Sequence, residues 1–161
     1  MLFRSLGEVQ GIADVVICTE TIEHILNDQK LMIDLAGCLK PGGRLLMTAP
    51  YEYYKAITPE DDGPFSIVED GGHVRRGYTA ESYRALCERA GLKIEDFGFC
   101  SGLISQWLTK ILRKLTVIDY RLGWLVILPL RILPPVLDRF ISLTGLWPDY
   151  SITLIATKPK I

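Results

Sequence analysis

The sequence predicts an α/β fold, in which a parallel sheet carries helices on its faces and a hydrophobic helical insert interrupts the later part. Three observations point there. Short runs rich in Val, Ile and Leu alternate with segments of helical periodicity. The turns between the first of these elements are short, as in a βαβ crossover. One stretch, 101–148, is both very apolar and basic.

The elements follow in order. Ala13 to Cys18 is a β-branched run without alternation, which predicts a strand covered on both faces. Residues from Glu20 to Leu26 are compatible with a helix. Asn27 or Asp28 can cap a second helix, whose Leu31, Leu35, Cys38 and Leu39 share one face. Pro41-Gly42-Gly43 stops that helix, and Arg44 to Ala49 reads as the next strand. Residues 51–77 carry the breakers of a long loop, a length that in compact domains usually serves function. Thr79 caps a helix with Tyr83, Leu86, Cys87 and Ala90 inward, and Gly91 ends it. Lys93 to Cys100 and Ser151 to Lys158 read as strands.

The 161 residues suffice for a single domain, and a net charge of −1 gives no footprint for nucleic acid. The charge is unevenly spread. Residues 101–148 hold six basic and two acidic side chains, so the remainder is acidic. Cys18, Cys38, Cys87 and Cys100 form no C-x-x-C pair, which reads as small buried hydrophobes in a reducing, cytoplasmic setting. The first residues lack the apolar core of a signal peptide.

Glu20, Glu23 and His24 form E-x-x-E-H. On a helix these positions share a face, so three ligands converge. The other histidine is His73. Two carboxylates and two imidazoles suit a divalent metal such as magnesium, manganese, iron or zinc. His24 also suits a metal-free general base with Glu23 beside it. A third reading is structural, with His73 and Arg75 bracing the loop before the Thr79 helix.

Three motifs carry a resemblance: D-V-V-I-C-T-E-T-I-E-H-I from Asp14, L-K-P-G-G-R-L-L-M-T-A-P from Leu39, and G-H-V-R-R-G-Y-T-A-E-S-Y-R-A-L-C-E-R-A-G-L from Gly72. In order and spacing they resemble the second half of class I S-adenosylmethionine-dependent methyltransferases of the type 11 group. The resemblance implies a partial Rossmann-like sheet, with 13–18, 44–49, 93–100 and 151–158 as strands four to seven, the seventh antiparallel. It implies S-adenosylmethionine as cofactor, held here at Cys18, Thr19 and Glu20. It also implies an acceptor pocket near Tyr51, Tyr53, Tyr54 and His73. A metal on Glu20, Glu23, His24 and His73 resembles the family's metal-dependent branch.

The family's first three strands would precede residue 13, and the glycine-rich G-x-G-x-G loop that lets backbone approach the cofactor occurs nowhere in the sequence. The expectation is therefore a truncated single domain over 1–161, with weak cofactor binding as a lone monomer. Its fourth strand, 13–18, is then an exposed edge open to a partner chain or a homodimer. The activity implied is O-methylation of a small or lipid-linked acceptor. The alternative is a non-catalytic half-domain that pairs through that edge.

The insert 101–148 stands where such enzymes place a substrate cover. Its longest apolar stretch is shorter than the ~20 residues a spanning helix needs. Its apolar face and cationic rim suit a lid, a dimer interface or peripheral contact with a membrane surface.

Overall fold

The computed structural model describes residues 9–160. They form two compact units, one of residues 9–52, 63–98 and 152–160, the other of 53–62 and 99–151.

The first unit is α/β. Its strands are β1 (Ala13–Thr19), β2 (Leu39–Pro50), β3 (Lys93–Cys100) and β4 (Ser151–Thr157), in the order β1-β2-β4-β3. The last strand in sequence thus inserts between β2 and β3; Phe99 and Cys100 of β3 and Ser151 of β4 fall in the second unit. β1 and β2 are parallel, from Val15 opposite Arg44 to Thr19 opposite Thr48. Helices α1 (Asp28–Cys38) and α2 (Ala80–Arg89) bury Leu31, Met32, Leu35, Tyr83, Leu86 and Cys87. These meet Leu45, Met47, Ile152 and Leu154 from the sheet in one core.

Three expectations are corrected here. β1 is not covered on both faces among the described residues: Val15 is 52% and Ile17 68% exposed. It is the edge strand, and only Val16 and Cys18 turn toward the core. Secondly, Pro41-Gly42-Gly43 does not separate helix from strand. The helix ends at Cys38, and β2 begins at once with Leu39. The three residues form an irregularity within the ladder, between Ala13 opposite Leu39 and Val15 opposite Arg44. The Lys158 N–H donates to Gly43 O, and the Gly42 N–H donates to Lys158 O, so the irregular segment stays paired. Thirdly, Cys100 is exposed, unlike the three buried cysteines.

Capping explains both helix starts. The Asn27 side chain accepts from the Lys30 N–H at 2.9 Å. Thr79 and Ser82 form a reciprocal capping box. Tyr78 before the cap stacks on Tyr83 at 5.1 Å, the N′ to N4 contact of a hydrophobic staple. Gly77 is required just upstream: a Cβ there would lie 2.3 Å from Pro50 O. That close approach returns the chain from its long loop to the end of β2, where Tyr78 N–H donates to Pro50 O at 2.8 Å.

The second unit holds α3 (Leu103–Ile118), α4 (Tyr120–Leu130) and α5 (Pro134–Leu143). Asp138 of α5 is buried and caps α3, accepting from the N–H groups of Ile104 and Ser105 and the Ser105 hydroxyl. Asp119 caps α4 through the Leu122 N–H. No described helix is long and apolar enough to cross a membrane.

Candidate functional site

The site begins where β1 leaves the sheet. The Glu20 N–H donates to Thr48 O at 2.9 Å, the last rung. Glu20 itself has φ 46°, a left-handed conformation that costs a non-glycine residue about 1–3 kcal/mol and gathers at functional sites. A single 3-10 turn follows, Ile22–His24, anchored by fully buried Ile22. The shared helical face expected for Glu20, Glu23 and His24 therefore does not form. The turn is too short, and Glu20 precedes it in a non-helical conformation.

Glu23, His24 and His73 nevertheless converge. One ligand-type atom from each lies within 4.8 Å of the others; Glu20 is outside this group. His24 and His73 meet edge to face at 4.7 Å. His24 Nδ1 lies 2.9 Å from Gly72 O. A carbonyl only accepts, so Nδ1 carries the proton and a neutral His24 keeps its lone pair on Nε2. Nε2 is 3.7 Å from Glu23 Oε1.

The loop 69–76 wraps this turn and fixes it. Val74 N–H donates to Glu23 O at 2.8 Å, and Leu26 N–H to a Glu69 carboxylate oxygen at 2.8 Å. Arg75 donates to Ile25 O and Leu26 O and pairs with Asp28. The Tyr78 hydroxyl donates to the same Asp28 carboxylate at 3.0 Å.

Glu23 is the most perturbed acid. Its side chain is 1% exposed, and burial pushes its carboxyl up to about 8. Glu23 Oε2 and the Tyr83 hydroxyl are buried without a hydrogen-bond partner. Burial also raises the Tyr78 and Tyr83 hydroxyls and the Cys18 thiol. The buried Glu23 carboxyl, whose burial favours its neutral form, thus lies beside the His24 imidazole, whose Nδ1 is the nitrogen held by backbone.

The other expected residues are dispersed. Cys18 is buried at the carboxyl end of β1, and Thr19 is exposed beside it. Glu20 follows at the turn that leaves the strand. Tyr51 bridges to Tyr78 at the end of β2. Tyr53 is exposed. Tyr54 is buried in the second unit, edge-on to Tyr150, with its hydroxyl on Asp61 O.

Sequence reasoning missed Tyr78 and Glu69. Tyr78 had a usable signal, an aromatic one residue before a threonine cap with another aromatic at N4. Glu69 had none, since its partner is a backbone N–H 43 positions away.

A sheet of order β1-β2-β4-β3, parallel between β1 and β2 and packed against α1 and α2, is a partial Rossmann-like sheet. Residues 3–96 match the family model described as a methyltransferase domain. The chain belongs to that family, with the fold of class I S-adenosylmethionine-dependent methyltransferases. Among solved structures it is similar to the cyclase SpnF (TM-score 0.53, 16% identity, 94% of this chain and 53% of that one). It is also similar to an S-adenosylmethionine-dependent methyltransferase from Mesorhizobium loti (0.51, 15%, 92% and 63%). A third is phosphoethanolamine N-methyltransferase 2 of Haemonchus contortus, in complex with S-adenosyl-L-methionine (0.50, 15%, 94% and 34%). The chain therefore spans less than two thirds of each of these three structures, and at such identities the likeness concerns the fold. No curated protein matches the chain.

Proposed function

We propose that this chain is the acceptor side of an S-adenosylmethionine-dependent methyltransferase that methylates an oxygen of a small or lipid-linked acceptor, with His24 as general base. The observation that carries this reading is the Gly72 carbonyl on His24 Nδ1, which leaves Nε2 as the basic atom beside Glu23. S-adenosylmethionine, when bound, supplies an electrophilic methyl group. His24 Nε2 takes the proton of an acceptor hydroxyl, which makes that oxygen nucleophilic. Glu23, neutral through burial, adds no charge of its own to the pocket. His73 packs on the His24 ring and holds its orientation. Cys18, Thr19 and Glu20 are the wall toward the cofactor.

The test is transfer of a labelled methyl group from excess S-adenosylmethionine to hydroxyl-bearing small molecules and a lipid extract. The expected result is labelled product whose rate falls roughly 10²–10⁴-fold in His24→Ala. Equal rates would remove the base, and absence of label with the unsubstituted chain would remove the transferase reading.

The orphaned Glu23 Oε2 beside two imidazoles favours a second reading. A divalent ion on Glu23, His24 and His73 would leave coordination positions open for acceptor oxygens, a Lewis-acid role. Three nitrogen and carboxylate donors suit manganese, iron or zinc better than magnesium. Activity abolished by a chelator and restored by one of these ions would select this reading. A non-catalytic half-domain draws support from the exposed Val15 and Ile17 on β1; size-exclusion chromatography showing a monomer would count against it.

A further inference from the structure

We infer that the helices of the second unit form a docking surface for an anionic phospholipid bilayer. The inference does not depend on the chemistry proposed above.

The apolar side chains of this unit face outward in unusual density. Val117, Leu125, Leu128, Ile132, Val136 and Phe140 are all more than 60% exposed. They come from all three helices and from the α4–α5 connection. This is not a core that failed to close. On α4, Gly123 and Ile127 are buried four residues apart. A Cβ on Gly123 would lie 2.8 Å from the Thr116 side chain, so α4 lies tightly on α3 along that seam. Leu125 and Leu128 project from the opposite side of the same helix, together with Arg121 by the 3.6-residue period. The outward face is as well specified as the inward one.

Charge decides what covers it. The two acids of 101–148, Asp119 and Asp138, both act as helix caps, the latter buried. A capping carboxylate keeps its charge, so 101–148 carries a net +4; the same unit also holds Lys55 and the acids Glu60, Asp61, Asp62 and Asp149. Lys110 lies over the Trp107 ring and Arg131 over the Trp124 ring, at 5.4 Å each. Both thus present a cation beside an amphipathic aromatic, the pairing that settles at a headgroup layer. Arg113 meets Asp61 at 3.7 Å while remaining largely exposed. Lys114, Arg121 and Arg139 are exposed, and no ion pair or hydrogen bond engages them among the described residues.

An apolar face on a segment of net charge +4 repels a second copy of that segment and attracts an anionic surface. No described helix can span a bilayer, so the contact is peripheral, with helices lying in the interface. A soluble protein partner would need an acidic rim around an apolar centre, and the vesicle experiment separates it from lipid.

The test is flotation of the full chain with vesicles of phosphatidylcholine alone and of phosphatidylcholine with phosphatidylglycerol. The expected result is association with the anionic vesicles, weakened by added salt. Lys114→Glu with Arg121→Glu changes only exposed side chains and should lower it roughly tenfold or more. Leu125→Glu with Leu128→Glu should abolish it while circular dichroism stays unchanged. Absence of association with anionic vesicles, or association that neither double variant alters, would overturn the inference. A stable dimer that buries this face and leaves vesicles unbound would overturn it too.

Discussion

The two units use apolar residues in opposite ways. In the α/β unit, Leu45, Met47, Ile152 and Leu154 of adjacent strands are almost wholly buried beneath α1 and α2. In the helical unit, only Ile127 among the large apolar side chains of α3, α4 and α5 reaches that degree of burial, with Leu108 next at 9% exposed. The same residue types therefore report core in one region and surface in the other. What separates them is the company of charge: acids and bases mixed in the first, an excess of bases along 101–148 in the second.

Substitutions should break this comparison unevenly. Leu154→Ala removes a side chain that is 1% exposed, and should cost about 2–5 kcal/mol in urea denaturation. Next in size is the pH dependence of stability through Glu23, measured with a chelator present. Its folded carboxyl titrates at about 8, whereas in the unfolded chain it ionises at the ordinary carboxylate value. Between those values the unfolded state binds fewer protons, so this contribution is full at low pH and is lost as pH rises toward 8. The loss should be a few kcal/mol, and Glu23→Gln should flatten it; a slope that survives the substitution would assign it elsewhere. Thr79→Ala breaks the capping box of α2 and should cost about 1 kcal/mol. Smallest is Leu125→Ala, from a side chain 75% exposed, which should stay within about 0.5 kcal/mol in the absence of membranes. A cost near that of Leu154→Ala would mean that the outward face is a core after all.

Much of this fold was legible from local chemistry. The Asn27 and Thr79 caps, the β3 limits and the inward stripes of α1 and α2 follow from residue type and period. For β1 the two expectations diverged: its unalternating apolar run suggested cover on both faces, whereas the absence of the family's earlier strands suggested the exposed edge found among the described residues. The path of Pro41-Gly42-Gly43 was not legible. A sequence that ends helices elsewhere is here absorbed into a ladder by pairing with Lys158, more than a hundred residues away. At the site, the sequence grouped Glu20, Glu23, His24 and His73; the last three come together through the 69–76 loop rather than through helical spacing. Glu20 shows why: the spacing E-x-x-E-H suggests one face, but its φ of 46° removes it from any helix.

The most direct measurement is amide chemical-shift mapping of the full chain titrated with S-adenosylhomocysteine, which requires neither an acceptor nor tight binding. The expected result is progressive shifts along Cys18–His24 at the end of β1, with the helices α3 to α5 unmoved. Shifts centred on the helical unit, or none at the β1 end at saturating ligand, would contradict the placement of the methyl-transfer site.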